Sequence, residues 1–121
     1  MGYRAHVCTT YQVRYSQNCD FYNEDFYPLF DFLRKYSYHD GKLNVDIDLL
    51  SCSDGSVDVW ELDRTALEGL VAQLRNPEHG FSGELEECLQ ALPPRDILAD
   101  KFEGWLRDGD KENDFVRVEW F

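Results

Sequence analysis

Apolar and polar side chains alternate with a period of two in four stretches of the chain, which are residues 3–15, 42–49, 57–60 and 115–121. In the first stretch, Val7 and Val13 belong to one face, and His6 and Arg14 belong to the other. This period is typical of a strand that buries one face. The turn-forming segment 53–56 separates the second and third stretches, so we expect these two strands to form a hairpin.

Between the strands, apolar residues recur at helical spacing. The first predicted helix begins near Asp25 and ends near Tyr36, because Pro28 is tolerated only in a first turn. Asp63 is the expected N-cap of the second helix, which ends at Asn76-Pro77. Two further helices follow, and their bounds are marked by Gly80, by the pair Pro93-Pro94, and by Asp108-Gly109-Asp110.

The predicted elements follow the order β-α-β-β-α(αα)-β in a single domain, residues 1–121. This order favours an α+β fold with one four-stranded, mainly antiparallel sheet of ferredoxin-like order and extra helices before the last strand. A plainer α+β sheet with another strand order is the alternative. In either case helices cover one face of the sheet and leave the other open. The residues expected on the covered face are Tyr3, Val7, Val13, Leu43, Val45, Ile47, Val57, Val59, Val116, Val118 and Trp120.

The open face would carry the aromatic residues Trp60, Phe115 and Phe121 among charges of both signs. Such aromatics could stack on single-stranded RNA, but that requires a positive field, which this chain does not supply. We therefore interpret them as a protein-contact or homodimer patch, with ordinary surface aromatics as the alternative.

Acidic residues outnumber basic residues by 24 to 12, so the formal net charge is −12. The excess is distributed along the chain, and it repels nucleic acid and anionic membranes while it attracts basic partners. Its densest part is predicted to lie on the later helices and consists of Glu84, Glu86, Glu87, Asp96, Asp100, Glu103, Asp108, Asp110 and Glu112. These acids could imitate the phosphates of a duplex. The alternative is a solvated face neutralised by Arg95, Lys101 and Arg107.

Two groups of carboxylates give weaker hypotheses of a metal-binding or catalytic site. Asp46, Asp48 and Asp58 would lie close together on adjacent strands, where paired carboxylates could bind a cation or transfer protons, but no His or Lys completes the site. The acids at every second position of 108–114 resemble a calcium loop, yet the sixth position holds Asn113 instead of Gly. We interpret both groups as solvated acids and expect no metal or cofactor.

Motifs of nucleophilic catalysis, phosphate binding and dinucleotide binding are missing from the sequence. Cys8 and His6, on one face of the first predicted strand, are the one hint of a catalytic pair. The four cysteines lack metal-ligand spacing and are expected to be reduced thiols. Residues 1–6 include no apolar segment of a signal peptide, and no apolar run is long enough to span a bilayer. A cytoplasmic location is therefore expected, in a bacterial host if the gene belongs to a phage.

The chain resembles the small anti-defence proteins of phages and mobile elements, such as anti-CRISPR and anti-restriction inhibitors. The resemblance rests on small size, acidity and lack of motifs, and on the terminal strings Tyr3-Arg4-Ala5-His6-Val7 and Val118-Glu119-Trp120-Phe121. It implies inhibition by occupation of a partner's surface, without chemistry, and it assigns no functional residues.

These observations together predict a non-enzymatic inhibitor that binds a basic, nucleic-acid-handling protein. The acidic helices would steer the encounter, and Trp60, Phe115 or Phe121 would anchor the interface. An immunity or antitoxin protein directed at a basic toxin is the first alternative. A small enzyme that uses Cys8 and His6 is the second.

Overall fold

Seven strands and four α-helices make up the part of the chain that the computed structural model describes, which is residues 5–8, 13–14, 21, 23–52, 57–109 and 111–120. The strands are β1 (Ala5–Cys8), β2 (Val13–Arg14), β3 (Ser37–Asp40), β4 (Val45–Asp48), β5 (Leu50–Cys52), β6 (Val59–Asp63) and β7 (Phe115–Trp120). The helices are α1 (Phe26–Lys35), α2 (Arg64–Arg75), α3 (Gly83–Gln90) and α4 (Arg95–Asp108), with a 3-10 turn at Asn23–Asp25 before α1.

The strands form a five-stranded sheet of order β2-β1-β7-β6-β5 and a separate β3-β4 ribbon, both antiparallel. The α+β class is therefore confirmed, whereas the single four-stranded sheet of ferredoxin-like order is not what the chain forms. A split βαβ unit would place two parallel strands side by side. Here β7 lies between β1 and β6, since Val118 pairs with Val7 on one side and with Trp60 on the other.

The first predicted strand is a hairpin. Val7 pairs with Arg14 and Cys8 pairs with Val13, so the chain reverses between β1 and β2. Alternation alone did not reveal this reversal, because a hairpin keeps the period of two in both of its strands. The prediction of one strand over residues 3–15 was therefore wrong.

The predicted pairing of residues 42–49 with residues 57–60 in a hairpin was also wrong. β4 pairs with β3, with Tyr38 opposite Ile47, while β5 pairs with β6. Asp40-Gly41 was the turn signal for the β3-β4 ribbon, and Asn44 completes the turn with a φ of 53°. Leu49 joins the two sheets, because its N–H donates to the Tyr36 carbonyl and its carbonyl accepts from the Asp63 N–H.

The covered face of the five-stranded sheet carries Val7, Val116, Val118 and Trp120, all of which are buried as predicted. The prediction that Trp60 lies on the open face was wrong, because its side chain is 0% exposed. β6 runs from Val59 to Asp63 and its buried positions are Trp60 and Leu62, so Trp60 faces the core, and its indole N–H donates to the Val57 carbonyl at 2.8 Å. Three residues that were predicted to be covered are exposed instead, which are Leu43, Val45 and Val57.

The helices agree closely with the apolar spacing. Asp63 caps α2, since its carboxylate accepts from the Ala66 N–H at 3.0 Å. The buried stripes of α2 and α4 consist of Leu67, Leu70, Val71 and Leu74, and of Leu98, Phe102 and Trp105. Phe26 of α1 adds an aromatic contact, with its ring centroid 5.0 Å from that of Trp120. One core cluster thus joins the helices to the sheet.

The β3-β4 ribbon docks on α2 through Tyr38 and Gly69. A Cβ atom on Gly69 would overlap the Tyr38 ring at Cδ1 and Cε1. Glycine is otherwise unfavourable inside a helix by about 1 kcal/mol relative to alanine. The close approach of the ring is therefore the physical reason for glycine at this position.

We expect Gly69→Ala to lower the free energy of unfolding by roughly 1–2 kcal/mol, because the added methyl group displaces the Tyr38 ring. In a Tyr38→Ala background, the same change should raise stability by about 0.5–1 kcal/mol through helix propensity. Urea unfolding of the four variants measures both effects. A change of the same sign in both backgrounds would contradict the docking contact.

Tyr36 generates a second prediction. Its side chain is buried, its hydroxyl donates to Gln73 Oε1 at 2.7 Å, and burial raises its pKa. The folded chain therefore keeps this proton at pH values where the unfolded chain, with a tyrosine pKa of about 10, has lost it. Stability should be unaffected by this group below about pH 10 and should fall above it.

Tyr36→Phe removes this titration. Between pH 9 and pH 11, the free energy of unfolding of the variant should therefore fall less steeply with pH than that of the wild type. Above the tyrosine pKa the two slopes should differ by about 1 kcal/mol per pH unit. Urea unfolding at several pH values measures the difference in slope. Equal slopes for the two proteins would refute the assignment to Tyr36.

Candidate protein-interaction surface

The predicted contact residues do not form one surface. Glu84, Glu86 and Glu87 are exposed on α3, and Asp96, Asp100 and Glu103 are exposed on α4. Asp108 is half-buried at the end of α4, and Glu112 is exposed in the loop before β7. Of the three aromatic anchors, Trp60 is in the core and Phe115 is 39% exposed on β7. Asp110 and Phe121 lie outside the described residues.

Asp100 and Glu103 are held by an arginine of another helix. Arg75 of α2 places its Nη2 atom 2.8 Å from Asp100 Oδ1 and 2.9 Å from Glu103 Oε1. The hydrogen bonds that Arg75 donates to Asp100 and Glu103 raise the pKa of Arg75. These two carboxylates therefore help to join α2 to α4, and they are less available to a partner than unpaired acids would be.

Arg95, at the start of α4, binds main-chain carbonyls of α2. Its guanidinium donates to the carbonyls of Gln73 at 2.7 Å, Leu74 at 3.2 Å and Asn76 at 2.9 Å, and it lies over the Phe81 ring. These carbonyls belong to the end of α2, where a cation also interacts favourably with the helix dipole. Arg95 thus caps α2, whereas one alternative from the sequence was that it neutralises the acids beside it on α4.

The other two cations of the expected neutralised face are Lys101 and Arg107. Lys101 Nζ lies 5.2 Å from the centroid of the Phe21 ring, which is a cation–π distance. Arg107 lies 3.9 Å from Asp108, at the limit of an ion pair. The ion pair of Arg107 is therefore a weak one.

Four exposed acids remain, and we call them the α3–α4 acids: Glu84, Glu86, Glu87 and Asp96. Within the described part of the chain, none of the four has an ion-pair partner within 4.0 Å. Glu84 and Asp96 lie in the first turns of their helices, where a carboxylate also stabilises the helix dipole. The four are therefore fully hydrated charges that a cationic partner can reach.

A shallow groove of about 230 Å³ lies at the junction of α3 and α4 and includes one of these acids, Glu86. Its lining consists of Glu86, Leu89, Gln90, Leu92, Pro93, Pro94 and Arg95. The pair Pro93-Pro94 ends α3 and starts α4, as the sequence predicted, but the groove that this break creates was missed. The available signal was the apolar pair Leu89 and Leu92 followed directly by Pro93-Pro94.

The open face of the five-stranded sheet is mixed in charge. Arg117 pairs with Glu119 at 3.3 Å and lies opposite Glu61 on β6. Phe115 occupies the same face, on the other side of β7 from Val116. The predicted aromatic patch is thereby reduced to Phe115 within the described residues.

The weaker hypotheses of a metal or catalytic site gain no support from the geometry. β4, which carries Asp46 and Asp48, pairs with β3, so Asp58 does not lie on an adjacent strand, and Asp46 contacts His39 at 2.9 Å. The described residues include no group of three or more His, Cys, Asp or Glu side chains that could hold a metal ion.

Two cysteines are visible as free thiols. Cys52 and Cys88 are both half-buried, and burial raises the pKa of Cys52, which disfavours the reactive thiolate. The side chains of His6 and Cys8, and all of Cys19, lie outside the described residues.

Comparison of the chain with protein-family models, with curated proteins and with solved structures finds no match. Among the described residues, no helix combines the length and the apolar composition that crossing a bilayer requires.

The role of Arg95 can be tested by substitution. Arg95→Met keeps the apolar stem but removes the hydrogen bonds to the end of α2, so we expect a loss of about 2 kcal/mol in the free energy of unfolding. Arg107→Met, on the same helix but without such bonds, should lose less than about 1 kcal/mol. Urea unfolding of both variants makes the comparison. Similar losses would show that Arg95 does not cap α2.

Proposed function

We propose that this protein is a non-enzymatic inhibitor that binds a basic, nucleic-acid-handling protein through the α3–α4 acids. The observation that carries the proposal is the contrast between two kinds of acid on neighbouring helices. Asp100 and Glu103 are paired with Arg75, whereas the α3–α4 acids are exposed and lack internal partners in the described structure.

Electrostatics supports a basic partner. With a net charge of −12, the chain attracts cationic surfaces over about 8 Å at physiological salt, and such steering raises association rates. Glu84 and Glu87 are separated by roughly 4.5 Å along the axis of α3, which is comparable to the roughly 3.4 Å of helix axis per phosphate of one DNA strand. A basic groove that binds a nucleic-acid backbone is therefore a suitable receptor for these carboxylates, and imitation of DNA is the finer form of the proposal.

Resemblance to anti-CRISPR and anti-restriction inhibitors agrees with this mode of action. The inhibitor would work in the cytoplasm of a bacterial host, where the nucleases of defence systems act. The acids alone carry the proposal, because Trp60 is buried and Phe115 lies on the open sheet face. An antitoxin would use the same acids, so the identity of the captured partner decides between inhibitor and antitoxin.

The test compares two sets of isosteric substitutions. In the first variant all four α3–α4 acids are neutralised by Glu84→Gln, Glu86→Gln, Glu87→Gln and Asp96→Asn. In the second, matched variant the paired acids are neutralised by Asp100→Asn and Glu103→Gln. Each protein is immobilised and exposed to nuclease-treated bacterial lysate, and the bound proteins are eluted with increasing salt and identified by mass spectrometry.

We expect the wild type to retain at least one nucleic-acid-binding protein that duplex DNA displaces. Neutralisation of the four acids should weaken that retention by about tenfold or more, since each contact between charged groups contributes up to about 1 kcal/mol. The second variant should lose stability but retain the partner. Retention that is independent of salt, or equal for wild type and the first variant, would sink the proposal.

A further inference from the structure

The groove at the α3–α4 junction combines an apolar lining with a carboxylate. Leu89 and Leu92, together with Pro93 and Pro94, supply apolar surface, and Glu86 stands beside them. Glu86, Leu89 and Gln90 are spaced by three and four residues, so they occupy one face of α3. An apolar group that enters the groove therefore comes next to an unpaired negative charge.

The cation that lines the groove, Arg95, does not pair with Glu86. Arg95 directs its guanidinium to the carbonyls of Gln73, Leu74 and Asn76, while Glu86 has no ion-pair partner among the described residues. The end of α3, where carbonyls give a partial negative charge, lies beside the groove at Gln90. Asp96 similarly offsets the positive start of α4. Glu86 can thus contact a cation of a partner without breaking an ion pair of the described fold.

We propose that the groove receives one apolar side chain of a basic segment of the partner protein, while Lys or Arg residues that flank it contact Glu86. This inference rests on the proposed function and adds the form of the partner's segment: an apolar residue between basic residues. The volume of the groove supports this inference. At about 230 Å³ it is below the roughly 300–1,000 Å³ typical of small-molecule pockets, and it suits a single side chain.

Two other occupants fit less well. Phosphate-bearing ligands would be repelled by Glu86 and its acidic neighbours on α3. A second copy of this chain would bring another net charge of −12 to the same acidic helices, which opposes association through this face. Charge complementarity therefore selects a basic segment.

The experiment uses two peptide probes, acetyl-Lys-Lys-Leu-Lys-Lys-amide and the same peptide with Ala in place of Leu. The complete chain, labelled with 15N and with 13C at leucine methyl groups, is titrated with each peptide in an NMR experiment. We expect the Leu peptide to shift the methyl resonances of Leu89 and Leu92, and to bind about three- to tenfold more tightly than the Ala peptide, because only the Leu peptide buries an additional apolar side chain.

Two isosteric variants locate the charge contact. Glu86→Gln should weaken binding of the Leu peptide by about two- to fivefold, whereas Glu84→Gln, on the same helix but outside the groove lining, should weaken it less. Both positions are exposed, so both variants should fold.

The outcomes separate this inference from the proposed function. If both peptides bind equally and shift only the amides of the α3–α4 acids, the groove is not a site, while the acidic surface still stands. If the Leu peptide shifts leucine methyl groups elsewhere, the groove is likewise excluded. If neither peptide shifts any resonance at millimolar concentration, both the groove and the acidic surface fail as receptors for basic segments.

Discussion

The pairing of β7 on both of its edges is the constraint on which the rest of the described structure depends. β7 lies between β1 and β6, so the amino-terminal hairpin and the β6-β5 pair belong to one sheet through this last strand. Its buried residues Val116, Val118 and Trp120 also provide much of the surface on which the helices pack. The core is therefore incomplete until β7 has paired with β1 and β6. Such dependence on contacts between residues distant in sequence is typical of slowly folding domains.

Local signals were sufficient to predict the helices but not the partners of the strands. The cap at Asp63, the stop at Asn76-Pro77 and the break at Pro93-Pro94 each act within a few residues, so the sequence displays them directly. Strand pairing depends on contacts that alternation does not encode, and residues 3–15 were predicted as one strand although β1 and β2 pair antiparallel within them. For Trp60, the phase of alternation was taken from Val57 and Val59, whereas β6 buries the opposite set, Trp60 and Leu62.

The same distinction applies to the candidate surface. That α3 and α4 expose their acids was predictable, because unpaired charges are almost never buried. Which acids would be paired was not predictable, since Arg75 reaches Asp100 from 25 residues away and Arg95 turns to the end of α2 instead of its neighbours on α4. Arg64 acts similarly by donating to the carbonyls of Leu106 and Asn113. Tertiary contacts thus decide which negative charges stay available.

Helix stabilisation accounts for only some of these available charges. Glu84 and Asp96 lie at the positive ends of α3 and α4, where a carboxylate is favourable without any partner. That benefit falls off within the first turn, so it is weaker at Glu86 and does not extend to Glu87, which lies one residue further along α3. No cation in the last turn of α3 compensates for them. Glu86 and Glu87 therefore add charge repulsion to a short helix without a compensating ion pair in the described fold.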